Sequence, residues 1–80
     1  MIPITSPEIL GKALRKHRKD LKLTQTELGN KYNLTQKTIS QIESGLPGVQ
    51  LATLFKVLSA LKMEIHLKDR TQSENEEVLW

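Results

Sequence analysis

The chain has 80 residues, of which 38% are hydrophobic. A chain of this length forms one domain, because it buries too little surface to support two independent cores. It contains no cysteine, which excludes disulfides and thiolate metal sites, and no apolar stretch approaches the roughly 20 residues of a membrane span. Residues 1–68 carry a net charge of +6 and residues 69–80 one of −3. We therefore expect a cytoplasmic protein with a basic domain over 1–68, suited to a nucleic-acid partner, and a flexible acidic tail over 69–80.

The first helix is predicted to begin after Ser6 and to run to about Lys19. Ser6-Pro7-Glu8 supplies a capping side chain, a proline where no amide donor is needed, and an acid near the positive end of the helix dipole. Apolar residues share one face at helical spacing, and they are Ile9, Leu10, Ala13, Leu14 and Leu21. The opposite face is basic and meets solvent or phosphate; it carries Lys12, Arg15, Lys16 and Lys19.

The second helix is predicted to begin with a capping box over Thr24–Glu27, in which the hydroxyl and the carboxylate satisfy free backbone amides of the first turn. It should bury Leu28 and Tyr32. We expect it to end near Asn33, because asparagine tolerates the left-handed conformation found at helix C-termini.

The third helix follows almost at once, with Thr35 as its cap and Gly45 as its stop. The spacing of Thr38, Ile39 and Ile42 turns these residues inward. Two short helices joined by a tight turn form the arrangement in which one helix enters the major groove of DNA while the other braces it.

A fourth helix and a strand complete the predicted elements. The helix is indicated by an apolar stripe of Leu51, Leu54, Phe55, Leu58 and Leu61. Period-two alternation over residues 63–68 then predicts a strand, with Met63, Ile65 and Leu67 on one face. A lone strand leaves its backbone unpaired, so it must pair with Ile2–Thr5 or with a second subunit; we favour an antiparallel pair across a homodimer.

The third helix is the candidate DNA-contacting element. Glutamine can bind adenine through two hydrogen bonds and lysine can donate to guanine, while Gln25 is placed to donate to a backbone phosphate. An ordinary solvated polar helix face is the alternative interpretation. The candidate DNA-binding residues are Gln25, Thr35, Gln36, Lys37, Thr38, Ser40 and Gln41.

Two segments resemble the phage-repressor helix-turn-helix family, known as XRE or Cro/C1-type. They are Leu23-Thr24-Gln25-x-Glu27-Leu28 and Thr35-Gln36-x-Thr38-Ile39-Ser40-x-Ile42-Glu43-x-Gly45. The resemblance implies an all-α, lambda-repressor-like domain of four to five helices, joined here to the one short C-terminal strand. It also implies a buried ion pair, which falls on Arg18 and Glu43. Independently of the resemblance, pairing of the lone strand across a homodimer would set the spacing of two third helices and predicts an inverted-repeat double-stranded DNA operator.

The C-terminal part is similar to that of the HipB-type antitoxins, repressors that also bind a HipA-type kinase toxin. The similarity rests on the segment Leu51–Leu58, the lone strand, and the acidic tail ending in Leu79 and Trp80. It implies that the strand pairs with its copy in a dimer and that the terminal tryptophan contacts the toxin. Trp80 could instead fold back on the domain. The base-contacting positions Thr35 and Lys37 depart from that group, so its operator cannot be carried over.

No enzyme, cofactor or metal site is indicated by the sequence. It has no nucleophile–base constellation and no glycine-rich phosphate loop, and the two histidines, His17 and His66, lack the spacing of metal ligands. The leading hypothesis is an autoregulating repressor that is the antitoxin of a HipA-like kinase. A plain phage-type or metabolic repressor and a protein-interaction module without DNA binding are the alternatives.

Overall fold

The computed structural model describes residues 2–70 and contains four α-helices in that range. They are α1 (Pro7–Asp20), α2 (Gln25–Asn30), α3 (Gln36–Glu43) and α4 (Leu51–Ala60). The predicted all-α, four-helix order is confirmed. Among these residues no helix has both the length and the apolar character needed to cross a membrane. Leu79 and Trp80 lie outside the described residues.

Side-chain caps begin the first two helices. The Ser6 hydroxyl accepts a hydrogen bond from the Ile9 amide at 3.2 Å. At α2 the capping box is complete, because the Thr24 hydroxyl accepts from the Glu27 amide at 3.0 Å and the Glu27 carboxylate accepts from the Thr24 amide at 2.8 Å. These contacts satisfy amides that a helix start otherwise leaves free, which explains why α1 and α2 begin where the sequence predicts.

The core is a small aliphatic cluster between the four helices. Every helix contributes to it, and Gly11 allows α1 and α3 to approach closely: a β-carbon there would lie 2.5 Å from the Glu43 carbonyl oxygen and 2.6 Å from that of Ile42. This close approach of the two helix backbones holds α1 against the C-terminal end of α3. The buried hydrophobic residues are Leu14, Leu28, Ile39, Ile42, Val57, Leu58 and Leu61.

Of two predictions about the end of α2, one agrees with the structure and the other does not. Asn33 does adopt a left-handed conformation, with φ of 58°. The helix itself ends at Asn30, earlier than predicted, so Tyr32 lies in the turn and not on the buried helix face. Tyr32 is 43% exposed, and the prediction that it is buried was therefore wrong.

The predicted strand has no counterpart in the single chain. Residues 63–69 have no regular secondary structure, and neither have residues 2–5, so the two segments form no ladder with each other in the described part of the chain. Pairing with a second subunit stays a prediction. Met63 is half-buried against the core, whereas Ile65 is 46% and Leu67 94% exposed.

Candidate nucleic-acid interface

The α2–turn–α3 unit forms the candidate interface, and a close backbone contact at Gly29 shapes it. The Leu34 amide donates to the Gly29 carbonyl at 2.8 Å, which closes the turn between the two helices. Any β-carbon at position 29 would collide with the Leu34 carbonyl oxygen. Gly29 was not among the predicted site residues, although a glycine inside a helical pattern often has a packing reason.

The seven candidate DNA-binding residues differ in how much of their surface is free. Thr35, Gln36 and Lys37 are exposed, while Gln25, Thr38, Ser40 and Gln41 are half-buried. Thr35 caps α3 by accepting from the Thr38 amide at 3.1 Å, and the two hydroxyl oxygens lie 3.0 Å apart. Because those hydroxyls are already engaged, the exposed side chains of Gln36 and Lys37 are the stronger candidates for base contact at the start of α3.

Gln36 and Gln25 are joined by a hydrogen bond that connects the two helices. The Gln36 Nε2 donates to the Gln25 Oε1 at 2.5 Å, and the Gln25 Nε2 donates in turn to the Glu43 Oε1 at 3.0 Å. A phosphate contact was the predicted role of Gln25. These two side-chain contacts were not predicted, because they join residues that are 11 and 18 positions apart in the sequence. One N–H of Gln25 remains for the predicted phosphate contact, because a primary amide has two.

Glu43 forms a buried ion pair with Arg18, the pair that the family resemblance implied. The Arg18 Nε donates to Glu43 Oε2 at 2.6 Å and Nη2 donates to Oε1 at 3.0 Å, while Nη1 donates to the Leu23 carbonyl at 2.7 Å. The two side chains are only 8% and 4% exposed. The hydrogen bond to Glu43 is the main cause that raises the pKa of Arg18 above its usual value, so the guanidinium stays charged.

A polar groove between α1 and the end of α3 adjoins this pair. Its cationic residues Lys12 and Arg15 come from one face of α1, three residues apart, and Gln25 lies in the same groove. Lys16, in contrast, forms an exposed pair with Asp20 at 3.1 Å and is absent from the groove lining. The sequence placed these cations on one basic face of α1, whereas in the structure Lys12 and Arg15 line the groove and Lys16 does not. The lining residues are Glu8, Lys12, Arg15, Arg18, Gln25, Glu43 and Ser44.

Each of the two histidines has a polar partner within hydrogen-bonding distance. His17 is half-buried, with its Nε2 3.1 Å from the Leu61 carbonyl oxygen, and His66 lies on the surface, 2.6 Å from the Glu64 carboxylate. Within residues 2–70 no group of three or more His, Asp or Glu side chains could hold a metal ion.

Comparison with known proteins decides the family. A family model described as "Helix-turn-helix" matches residues 14–67. The chain belongs to this helix-turn-helix family. It is also similar to the antitoxin HipB of Escherichia coli strain K12, with 34% identity over 73 residues that span 91% of this chain and 83% of that protein. The family consists of DNA-binding transcription factors, so the protein is a helix-turn-helix DNA-binding regulator and not an enzyme.

Solved structures support the same fold assignment. The HipB-O4 20mer complex superposes with a TM-score of 0.83 at 34% identity, covering 89% of this chain and all of the HipB chain. HipB in the HipA-HipB-O2-O3 complex gives the same TM-score, identity and coverage. The four helices therefore have the lambda-repressor-like arrangement that the sequence resemblance implied.

Proposed function

We propose that this protein is a homodimeric transcriptional repressor that binds an inverted-repeat operator and, as the antitoxin of a HipA-like kinase, autoregulates its own operon in the cytoplasm. The observation that carries the proposal is the similarity to HipB over 91% of the chain, since it includes the segments on both sides of the helix-turn-helix unit. The contacts of the described residues support the DNA-binding part independently.

Base recognition is assigned to α3, with its N-terminal end in the major groove. Gln36 donates one N–H to Gln25, which leaves one N–H and the carbonyl oxygen for a base. That pattern matches the N7 acceptor and N6 donor of adenine. Lys37, one residue further, is free to donate to guanine, and Ser40 and Gln41 lie one turn along the helix.

Phosphate contact is assigned to the groove cations. Lys12 and Arg15 lie in the same groove as Gln25, whose remaining N–H can donate to the backbone of the operator. Phosphate contacts fix the register of the protein on the duplex without selecting a sequence. The groove would therefore orient α3, and the bases would be selected by α3 itself.

Dimerisation is supported by apolar surface that the single chain leaves uncovered. Leu51 and Phe55, one turn apart on α4, are 66% and 48% exposed, and Leu67 is 94% exposed. Large apolar side chains in this number are costly to leave in water, and a second copy pairing along residues 63–68 would cover part of them while completing the strand hydrogen bonds. The two-fold axis would place the α3 helices for half-sites about one DNA turn apart, or a multiple of it.

Operator recognition is tested by Gln36→Ala. Sites are first selected from random DNA with the unaltered protein, and affinities are then measured by fluorescence anisotropy. We expect Gln36→Ala to lose about 1 to 3 kcal/mol of discrimination at one base position. Gln50→Ala is the matched control, because Gln50 is exposed and makes no side-chain capping bond. If the unaltered protein selects no sequence, the interaction-module alternative replaces the repressor.

Kinase binding is assigned to Leu79 and Trp80, beyond the described residues, because an aromatic anchor at the end of an acidic tail suits a partner pocket. The probe is the kinase-like protein encoded by the neighbouring reading frame. We expect deletion of residues 79–80 to weaken its binding and leave operator affinity unchanged, while Gln72→Ala changes neither. Unchanged kinase affinity would refute the anchor. The absence of a kinase-like frame would favour the second candidate, a plain repressor, since all seven candidate DNA-binding residues lie within residues 2–70.

A further inference from the structure

The hydrogen-bond chain from the buried ion pair to the base-contacting amide has a fixed direction. It runs from Arg18 through Glu43 and Gln25 to Gln36, with donor–acceptor distances of 2.6, 3.0 and 2.5 Å. A carboxylate can only accept hydrogen bonds, whereas a glutamine amide can donate at one end and accept at the other. Glu43 therefore determines which end of each amide faces its neighbour.

The orientation of each glutamine amide in this hydrogen-bond chain depends on the residue before it. Because Glu43 only accepts, Gln25 must turn its NH₂ group toward it and its carbonyl oxygen toward Gln36. Gln36 must then turn its NH₂ group toward Gln25. One N–H and one carbonyl oxygen of Gln36 are left to face DNA, with their order fixed.

We infer that Glu43 is a positioning residue for base recognition: through Gln25 it fixes the amide orientation of Gln36 and so favours adenine over guanine. The inference rests on the proposed operator binding. Adenine presents an acceptor and a donor in the major groove, whereas guanine presents two acceptors. A reversed Gln36 amide would have two N–H groups free and would match guanine.

Burial of Glu43 strengthens its effect on the orientation of the two glutamine amides. The Glu43 side chain is 4% exposed, so water has little access to compete for its oxygens. Arg18 holds both carboxylate oxygens, and its remaining contact with the Leu23 carbonyl fixes the guanidinium. Gln36 is exposed, and without a partner its amide would rotate freely in water. The orientation of the exposed Gln36 amide therefore depends on the buried carboxylate of Glu43.

Three variants separate positioning from simple structural support. Glu43→Gln keeps the shape of the side chain but can present either end of an amide to Gln25. Gln25→Met cuts the connection and leaves the Arg18–Glu43 pair intact. Arg18→Lys disturbs the geometry of the pair but preserves the carboxylate, so it controls for loosening of the interior. Folding of each variant is checked by urea denaturation.

The measurement is the adenine-over-guanine affinity ratio at the operator position that Gln36→Ala identifies. A good bidentate contact sets this ratio at about 5- to 150-fold. We expect the ratio to fall to within about threefold of unity in Glu43→Gln and in Gln25→Met, with guanine gaining affinity in Glu43→Gln, and to stay near its original value in Arg18→Lys.

The outcomes distinguish the inference from the function on which it rests. An unchanged ratio in Gln25→Met or in folded Glu43→Gln would overturn the inference while leaving operator binding intact. An equal fall in Arg18→Lys would also overturn it, since interior loosening would then be the cause. If Glu43→Gln does not fold, Gln25→Met decides. The absence of any base preference in the unaltered protein would instead refute the proposed function.

Discussion

The groove cations give the sharpest quantitative prediction about DNA binding. Each phosphate contact contributes about −0.9 to the slope of log affinity against log salt concentration. If Lys12 and Arg15 each contact one phosphate in both subunits of the proposed dimer, Lys12→Ala should make the slope less negative by about 1.8, and the double alanine variant by about 3.6. Over a fourfold rise in salt, the loss of affinity should shrink by about 12-fold for one substitution and about 150-fold for both.

The assay is fluorescence anisotropy with the selected operator and with random duplex at several salt concentrations. Both DNAs should respond alike, because phosphate contacts carry no sequence information. Lys16→Ala removes the same charge from the same helix, but Lys16 pairs with Asp20 outside the groove, so its slope should stay near that of the unaltered protein. An equal change in slope for Lys12→Ala and Lys16→Ala would refute the assignment and reduce the effect to net charge.

Three further predictions concern folding and assembly. Gly11→Ala should destabilise the protein by about 1 to 3 kcal/mol in urea denaturation, because its new methyl group meets two α3 carbonyl oxygens that cannot easily move; an unchanged midpoint would mean that α1 can shift at no cost. Thr24→Ala should cost about 1 kcal/mol through loss of the capping box, and a result equal to that of Thr26→Ala, a neighbouring exposed threonine, would contradict this. Leu67→Lys should shift the molecular mass measured by light scattering from dimer toward monomer, whereas Leu21→Lys, also at an exposed leucine, should not; a dimer that tolerates Leu67→Lys would rule out the shared strand as its main contact.

The helix starts could be predicted from the sequence because their signals are local. A cap such as Ser6 or Thr24 satisfies amides within the next three residues, and the proline after Ser6 needs no amide partner. The left-handed turn at Asn33 was predictable for the same reason. Tyr32 shows the limit of this reasoning, because its helical spacing indicated burial although the helix had already ended.

The connections between helices could not be obtained from spacing alone. The contact of Gln25 with Gln36 joins residues 11 positions apart, and its contact with Glu43 spans 18. Both depend on the angle at which α2 and α3 meet, which is set in turn by the backbone contact between Gly29 and Leu34. Residue types identified the two glutamines as DNA-contacting candidates. Only three-dimensional positions show that they are coupled to a buried charge.

The position of the ion pair fits recognition better than it fits stability. Removing two charges from water is costly, and buried pairs in proteins are often no more stabilising than apolar side chains of similar volume. Here the pair lies at the junction of α1 and α3, and the Glu43 oxygen that accepts from Arg18 at 3.0 Å also accepts from Gln25 at 3.0 Å. Apolar residues at positions 18 and 43 together could support the packing of both helices, but they could not fix the orientation of the Gln25 amide. The chemical property that distinguishes a carboxylate from a leucine at position 43, that it only accepts hydrogen bonds, is therefore the one on which the inferred orientation of Gln36 depends.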